Sequence, residues 1–141
     1  MPRILYATDG SEGAVAGGSF LNGLPLGADS EIQTLVAELQ GRGMTALVYD
    51  QTRADLPTES LMDCVSKTAS FRPEVVIGIG GGSCMDMAKA VAVLLTHGGE
   101  PSAYYGEYKV PGPVIPLIAV PTTSGTGSEV TPVAVGADTA Q

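Results

Sequence analysis

Apolar residues fall along this chain in two periods. Short β-branched runs recur at Ile4–Ala7, Thr45–Tyr49, Val75–Ile79 and Val114–Val120, and each reads as a buried strand. Between them the spacing turns helical. Ile32, Leu35, Val36 and Leu39 recur at i, i+3, i+4 and i+7, opened by a capping box at Ser30-Glu31-Ile32-Gln33 and ended by Gly41 and Gly43. Thr58 is expected to cap a second helix whose Leu61 and Val65 face inward, and Cys84–Leu95 forms a third. His97–Gly112 reads as a loop, and Val130–Val135 as a further strand. This alternation predicts an α/β fold, an open parallel sheet with helices on both faces.

The head is the least regular part. Gly13, Gly17, Gly18, Gly23 and Gly27 weaken any helix, yet Val15, Phe20, Leu21 and Leu24 need burial, so a weak helix is expected over about 14–22.

Composition narrows the picture. At 141 residues the natural count is one domain, 1–141. Hydrophobic content of 44% supports one core, and with only 5% aromatics that core must be aliphatic and Met-rich. A net charge of −8 argues against nucleic acid and anionic membrane surfaces as partners. It leaves room for an anionic cofactor, since local amides matter more at such a site. No apolar run approaches the ~20 residues of a membrane span, and the first residues lack a signal-peptide layout. Cys64 and Cys84 stand apart, without C-x-x-C spacing, which fits a reducing, cytoplasmic setting.

The chemistry concentrates after the third strand, in Gly80-Gly81-Gly82-Ser83-Cys84-Met85-Asp86. Strand, glycine turn and helix together present unpaired first-turn amides and the positive end of the helix dipole to an anion. A phosphate can approach closely because glycine has no Cβ. The leading reading is a pyrophosphate cradle at Gly81, Gly82 and Ser83. The plain alternative is a tight turn with Ser83 as N-cap and Asp86 closing a capping box. The spacing matches neither G-x-G-x-x-G nor a P-loop.

A second loop follows the fourth strand, Pro121-Thr122-Thr123-Ser124-Gly125-Thr126-Gly127-Ser128-Glu129-Val130. Together the two stretches resemble the iron-containing, group III alcohol dehydrogenase family, which carries GGGS-x-x-D-x-AK and PTT-x-GTGSE-V. The resemblance runs from about Leu35 to Val135 and covers that family's nucleotide-binding half. It implies a Rossmann-like domain, truncated before the helical metal-binding domain. The implied function is hydride transfer between a small alcohol and NAD or NADP, giving an aldehyde or ketone.

By this resemblance Gly80, Gly81, Gly82 and Ser83 hold the cofactor pyrophosphate. Thr122 and Thr123 contact phosphate and the nicotinamide-side ribose, and Asp86 lies near the reactive end. Thr126 belongs to the same loop, although with Ser128 it serves equally to satisfy loop backbone groups. The resemblance also implies an acid on the adenosine ribose that favours NAD. Asp9 is the candidate, with an Asx-turn as its alternative. Lys89 reads as a helix partner of Asp86. The family's divalent metal is held by one aspartate and three histidines from beyond this segment. Here His97 is the sole histidine, so no metal is expected on the chain and no catalytic residue is assigned.

Two other readings stand. The opening Ile4-Leu5-Tyr6-Ala7-Thr8-Asp9-Gly10-Ser11-Glu12-Gly13-Ala14 resembles universal stress proteins, which implies a non-enzymatic, ATP-binding module. The other is an inactive folded fragment of a longer gene. Val130, Val133 and Val135, with a mean hydropathy of +0.22, point to a homo-oligomer.

Overall fold

The strand residues divide cleanly between two faces, and that division fixes the layers. The computed structural model describes residues 3–7, 28–122 and 125–134. Four strands, β1 (Arg3–Ala7), β2 (Thr45–Tyr49), β3 (Val75–Gly80) and β4 (Leu117–Pro121), alternate with helices α1 (Ala28–Gly41), α2 (Thr58–Thr68) and α3 (Gly82–His97). All strand pairs are parallel, in the order β2-β1-β3-β4. The Rossmann-like fold read from the sequence is the observed one. Asp9, the weak helix of the head, Thr123 and Val135 lie outside the described residues.

Successive strand residues point to opposite faces. On one face Ile4, Ala46, Val75, Ile77, Ile79 and Val120 meet Leu35, Val36 and Leu39 of α1. On the other, Leu47, Tyr49, Val76 and Leu117 meet Leu61 and Cys64 of α2 and Met87, Ala88, Val91 and Leu94 of α3. Met85, Met87, Val76 and Val91 are wholly buried, each contributing roughly 1.5–3 kcal/mol of apolar transfer free energy. The core is aliphatic and Met-rich, as the composition requires.

Tyr49 ties β2 to α2. Its hydroxyl donates to Asp63 Oδ2 at 2.7 Å. Burial and the Asp63 contact hold the phenol well above its usual range. The Tyr49 and Lys67 hydrogen bonds hold Asp63 below the usual carboxylate range. Burial pushes the neighbouring Cys64 thiol up to about 12, so it is a small hydrophobe rather than a reactive thiolate.

Several boundaries differ from the sequence reading. Helix α1 begins at Ala28, so Ser30 lies inside it. Its end is as expected: Met44 N–H donates to Leu39 O and Gly43 N–H to Gln40 O, both at 3.0 Å, the paired bonds of a Schellman stop. Pro57, not Thr58, is the N-cap of α2; proline has no N–H to satisfy there. Helix α3 extends to His97 and stops at Gly98. The fourth strand starts at Leu117, because Pro113 and Pro116 cannot donate to a ladder. Residues 130–134 form no strand, and Val130 and Val133 are exposed. No helix among the described residues is long and apolar enough to cross a membrane.

Helix α3 approaches β3 most closely at Gly78. A Cβ there would lie 2.8 Å from Ala88 Cβ and 3.1 Å from the Cys84 carbonyl oxygen. Gly78→Val should therefore lower stability by about 1–3 kcal/mol or more, the cost of overpacking against backbone. Urea denaturation checks this; an unchanged midpoint would show that α3 can move away at no cost.

Candidate functional site

In a parallel sheet all strands end on one edge. The order β2-β1-β3-β4 means the chain winds outward in one direction from β1 to β2, then crosses back to β3 and continues to β4. The reversal lies between β1 and β3, and ligands of open α/β sheets bind at the carboxyl ends of the strands beside such a switch point. Gly80, Gly81, Gly82 and Ser83 stand there, at the end of β3.

Local sequence dictates the geometry of this turn. Gly80 ends β3 with φ +148°, Gly81 is the N-cap of α3, and no side chain caps the helix. Ser83 is therefore in the first turn of α3 rather than at its cap, and the expected Ser83–Asp86 capping box does not form the helix start. Cys84 N–H and Met85 N–H both turn back to Gly81 O, at 3.1 and 3.2 Å. The amides of Gly82 and Ser83 have no preceding helical carbonyl to meet. They sit at the positive end of a 16-residue helix. This is an arrangement that fits a phosphate or pyrophosphate.

The second loop closes on the first. Thr122 N–H donates to Gly80 O at 2.9 Å, carrying the β3–β4 pairing one residue past Pro121. Further on, a Cβ placed on Gly82 would lie 3.0 Å from Thr126 Cγ2 and 3.4 Å from Ser128 Oγ. Glycine at 82 thus lets the loop lie close against the helix start, where a side chain would press on Thr126 and Ser128. Thr126 Oγ1 accepts from Ser128 N–H at 3.3 Å, which is the backbone-satisfying role weighed for it in the sequence. Ser128 is buried.

Asp86 is buried one turn into α3, and Lys89 Nζ lies 3.4 Å from its Oδ1. Lys89 is the helix partner that the i, i+3 spacing suggested. Gly80, Gly81, Gly82, Ser83, Thr122 and Thr126 are therefore brought together at one edge, with Asp86 one turn behind.

Sequence reasoning passed over two residues. Asp50 is the first residue beyond β2, on the same carboxyl edge and next to β1. An acid at a strand end near the dinucleotide-binding crevice commonly bonds a ribose hydroxyl. Two residues later, Thr52 Oγ1 is buried without a hydrogen-bond partner. The signal for Asp50 was available, as the first acid after a strand, but its weight depends on knowing that β2 neighbours β1.

The residues present do not fit a metal ion: among the described residues no three His, Cys, Asp or Glu side chains come together. His97 lies in the last turn of α3, at the end away from the cradle, with Nε2 3.4 Å from the Gly112 carbonyl oxygen.

A doubly wound parallel sheet, with a glycine turn opening a helix at its switch point, defines a Rossmann-like α/β domain. Residues 25–141 match the family model of iron-containing alcohol dehydrogenases, and the chain belongs to that family. It is 41% identical over 101 residues to the sulfoacetaldehyde reductase of Bilophila wadsworthia (strain 3_1_6), covering 72% of this chain and 26% of that one. It is 30% identical over 109 residues to the NAD-dependent methanol dehydrogenase of Bacillus methanolicus, covering 77% and 29%. The crystal structure of an iron-containing alcohol dehydrogenase from Thermotoga maritima superposes with a TM-score of 0.79 at 31% identity, covering 99% of this chain and 35% of that one. The chain thus spans about a quarter to a third of the length of these relatives. The family match leaves out residues 1–24, where the resemblance to universal stress proteins lies.

Proposed function

We propose that this chain is the NAD(P)-binding portion of a metal-dependent alcohol dehydrogenase, whose reaction moves hydride between a small alcohol and the nicotinamide to give an aldehyde or ketone. The observation that carries the proposal is the contact of the two motif loops at Gly82. The helix start that offers free amides is also the place where the threonine-rich loop lies.

In this reading the Gly82 and Ser83 amides hold the pyrophosphate, with Gly80 and Gly81 shaping the turn. Thr122, Thr123 and Thr126 supply hydroxyls beside it, and Asp86 faces the nicotinamide end. The bound dinucleotide supplies the hydride acceptor. The chain's own contribution is to bind and orient it. Either Asp9 or Asp50 meets the adenosine ribose. The strand order favours Asp50, and an acid there favours NAD over NADP. The word NAD-dependent in the methanol dehydrogenase relative's name supports the same preference. The setting is cytoplasmic, with no nucleic-acid or membrane partner.

Calorimetric titration tests this. NAD(H) should bind the native chain, and Gly82→Val combined with Ser83→Ala should weaken it at least about tenfold, because added side-chain volume displaces the loop and blocks phosphate approach. Undiminished affinity in that variant would remove the cradle from the site. NADP should bind more weakly through repulsion of its 2′-phosphate, and equal affinities would remove both acids from the ribose. ATP binding tighter than NAD would favour the stress-protein-like module instead.

The chain is also proposed to self-associate. Ile118 on β4, Val130 and Val133 are 51%, 81% and 61% exposed, and a two-fold dimer is the commonest way to cover such residues. Light scattering at micromolar concentration should give a mass near twice 14.3 kDa; a clean monomer would refute it.

A further inference from the structure

The segment 125–133 lies on the start of α3 yet contains no helix or strand, so its position depends on the fit of Thr126 and Ser128 against Gly82 and on the holds at its two ends. At the first end the hold is the sheet, through the Thr122–Gly80 hydrogen bond. At the far end it is one side chain. Lys89 Nζ lies 2.8 Å from the Val133 carbonyl oxygen, 3.2 Å from Thr131 Oγ1 and 3.4 Å from Asp86 Oδ1. A lysine ammonium has three protons and no acceptor capacity; here three oxygens from two different elements surround it. The side chains of Lys89 and Asp86 are only 13% and 9% exposed, so the pair is shielded from the solvent that makes surface ion pairs weak.

We propose that Lys89 is a positioning residue for nucleotide binding. It ties the end of the 125–133 segment to the second turn of α3, and so keeps Thr126 and Ser128 seated against Gly82. In the same stroke it holds the Asp86 carboxylate in place one turn below the cradle. Cofactor affinity then depends on a lysine that touches no cofactor atom. This rests on the reading of the Gly80–Ser83 turn as a nucleotide site. What it adds is the device that holds the second loop over that turn.

The geometry explains why an ordinary ion pair is not enough. Asp86 and Lys89 stand three residues apart on one helix and would pair with or without the loop. The Thr131 and Val133 contacts cross 42 and 44 residues of sequence. Among the described residues, these are the hydrogen bonds that join α3 to the loop end. Removing the ammonium also leaves the buried Asp86 without its cation, so two variants are needed. Lys89→Met removes all three contacts, whereas Thr131→Val removes one loop contact and keeps the ion pair.

The test measures NAD(H) affinity and amide hydrogen exchange together, on the native chain, Lys89→Met, Lys89→Arg and Thr131→Val. Lys89→Met should weaken NAD(H) about tenfold or more, the scale of lost hydrogen bonds to a charged group. Lys89→Arg, which keeps charge and donors, should recover most of that. Thr131→Val should weaken binding about two- to fivefold. In Lys89→Met and Thr131→Val the Val130 amide, bonded to Gly127 O at 3.0 Å, should exchange faster, while the amides of Val91 and Leu94 keep their native protection. Native-like NAD(H) affinity in Thr131→Val or Lys89→Met overturns the proposal. So does weaker binding with unchanged exchange at Val130, which would leave Lys89 acting through Asp86 alone. If the native chain itself fails to bind NAD(H), the nucleotide reading and this proposal built on it both fall, whereas native binding with unaffected variants sinks the proposal alone.

Discussion

Everything at the carboxyl edge depends on how closely α3 lies on β3. Gly78 permits that approach: no side chain separates the strand from Ala88 and the Cys84 carbonyl. A helix packed this near its own preceding strand must begin immediately after it, and Gly81 is the only residue between Gly80, the last of β3, and Gly82, the first of α3. With glycine at the cap position no side chain caps the helix, and the first-turn amides have no intrahelical partner. The same close packing buries α3 almost all round, from Cys84 to Ala88 and again at Val91, Ala92 and Leu94. The cradle is thus held by the core rather than by the loop that forms it, the arrangement expected where binding geometry must stay fixed.

The second loop is built differently. It has no apolar core of its own, and its valines at 130 and 133 face solvent. Its order comes from a strand end, from the fit of Thr126 and Ser128 over a residue with no Cβ, and from the reach of Lys89. A helix start fixed by the core and a polar loop with few holds differ in how they are kept in place. In the proposed reading the first would bind the phosphates and the second would lie beside them.

Strands were the most legible elements in the sequence. Short β-branched runs bounded by turn residues marked them: β2 was placed to the residue, β1 and β3 differ by one, and the start of β4 by three. Helix starts were less legible, because Ser30, Ser83 and Thr58 all have the local chemistry of a cap. The start of a helix is decided by where the preceding strand ends and by proline, and neither respects the nearest hydroxyl. The strand expected at 130–135 failed over its described part for a related reason. Valines there signal β propensity, but among the described residues no neighbouring strand pairs with them. In the site, the glycine turn that opens α3 and the threonine-rich loop after β4 were legible as structure because their sequence signals are local. The Lys89–Val133 contact and the place of Asp50 were not, since each requires knowing which distant elements are neighbours.

The central claim is that the free amides of Gly82 and Ser83 bind the cofactor's pyrophosphate. The most direct measurement follows the backbone amide resonances of the labelled chain by NMR while NAD(H) or inorganic pyrophosphate is added. Gly82 and Ser83 are expected to shift first and furthest with both ligands, with Thr122 and Thr126 following only for NAD(H). Binding that leaves the Gly82 and Ser83 amides unmoved would contradict it.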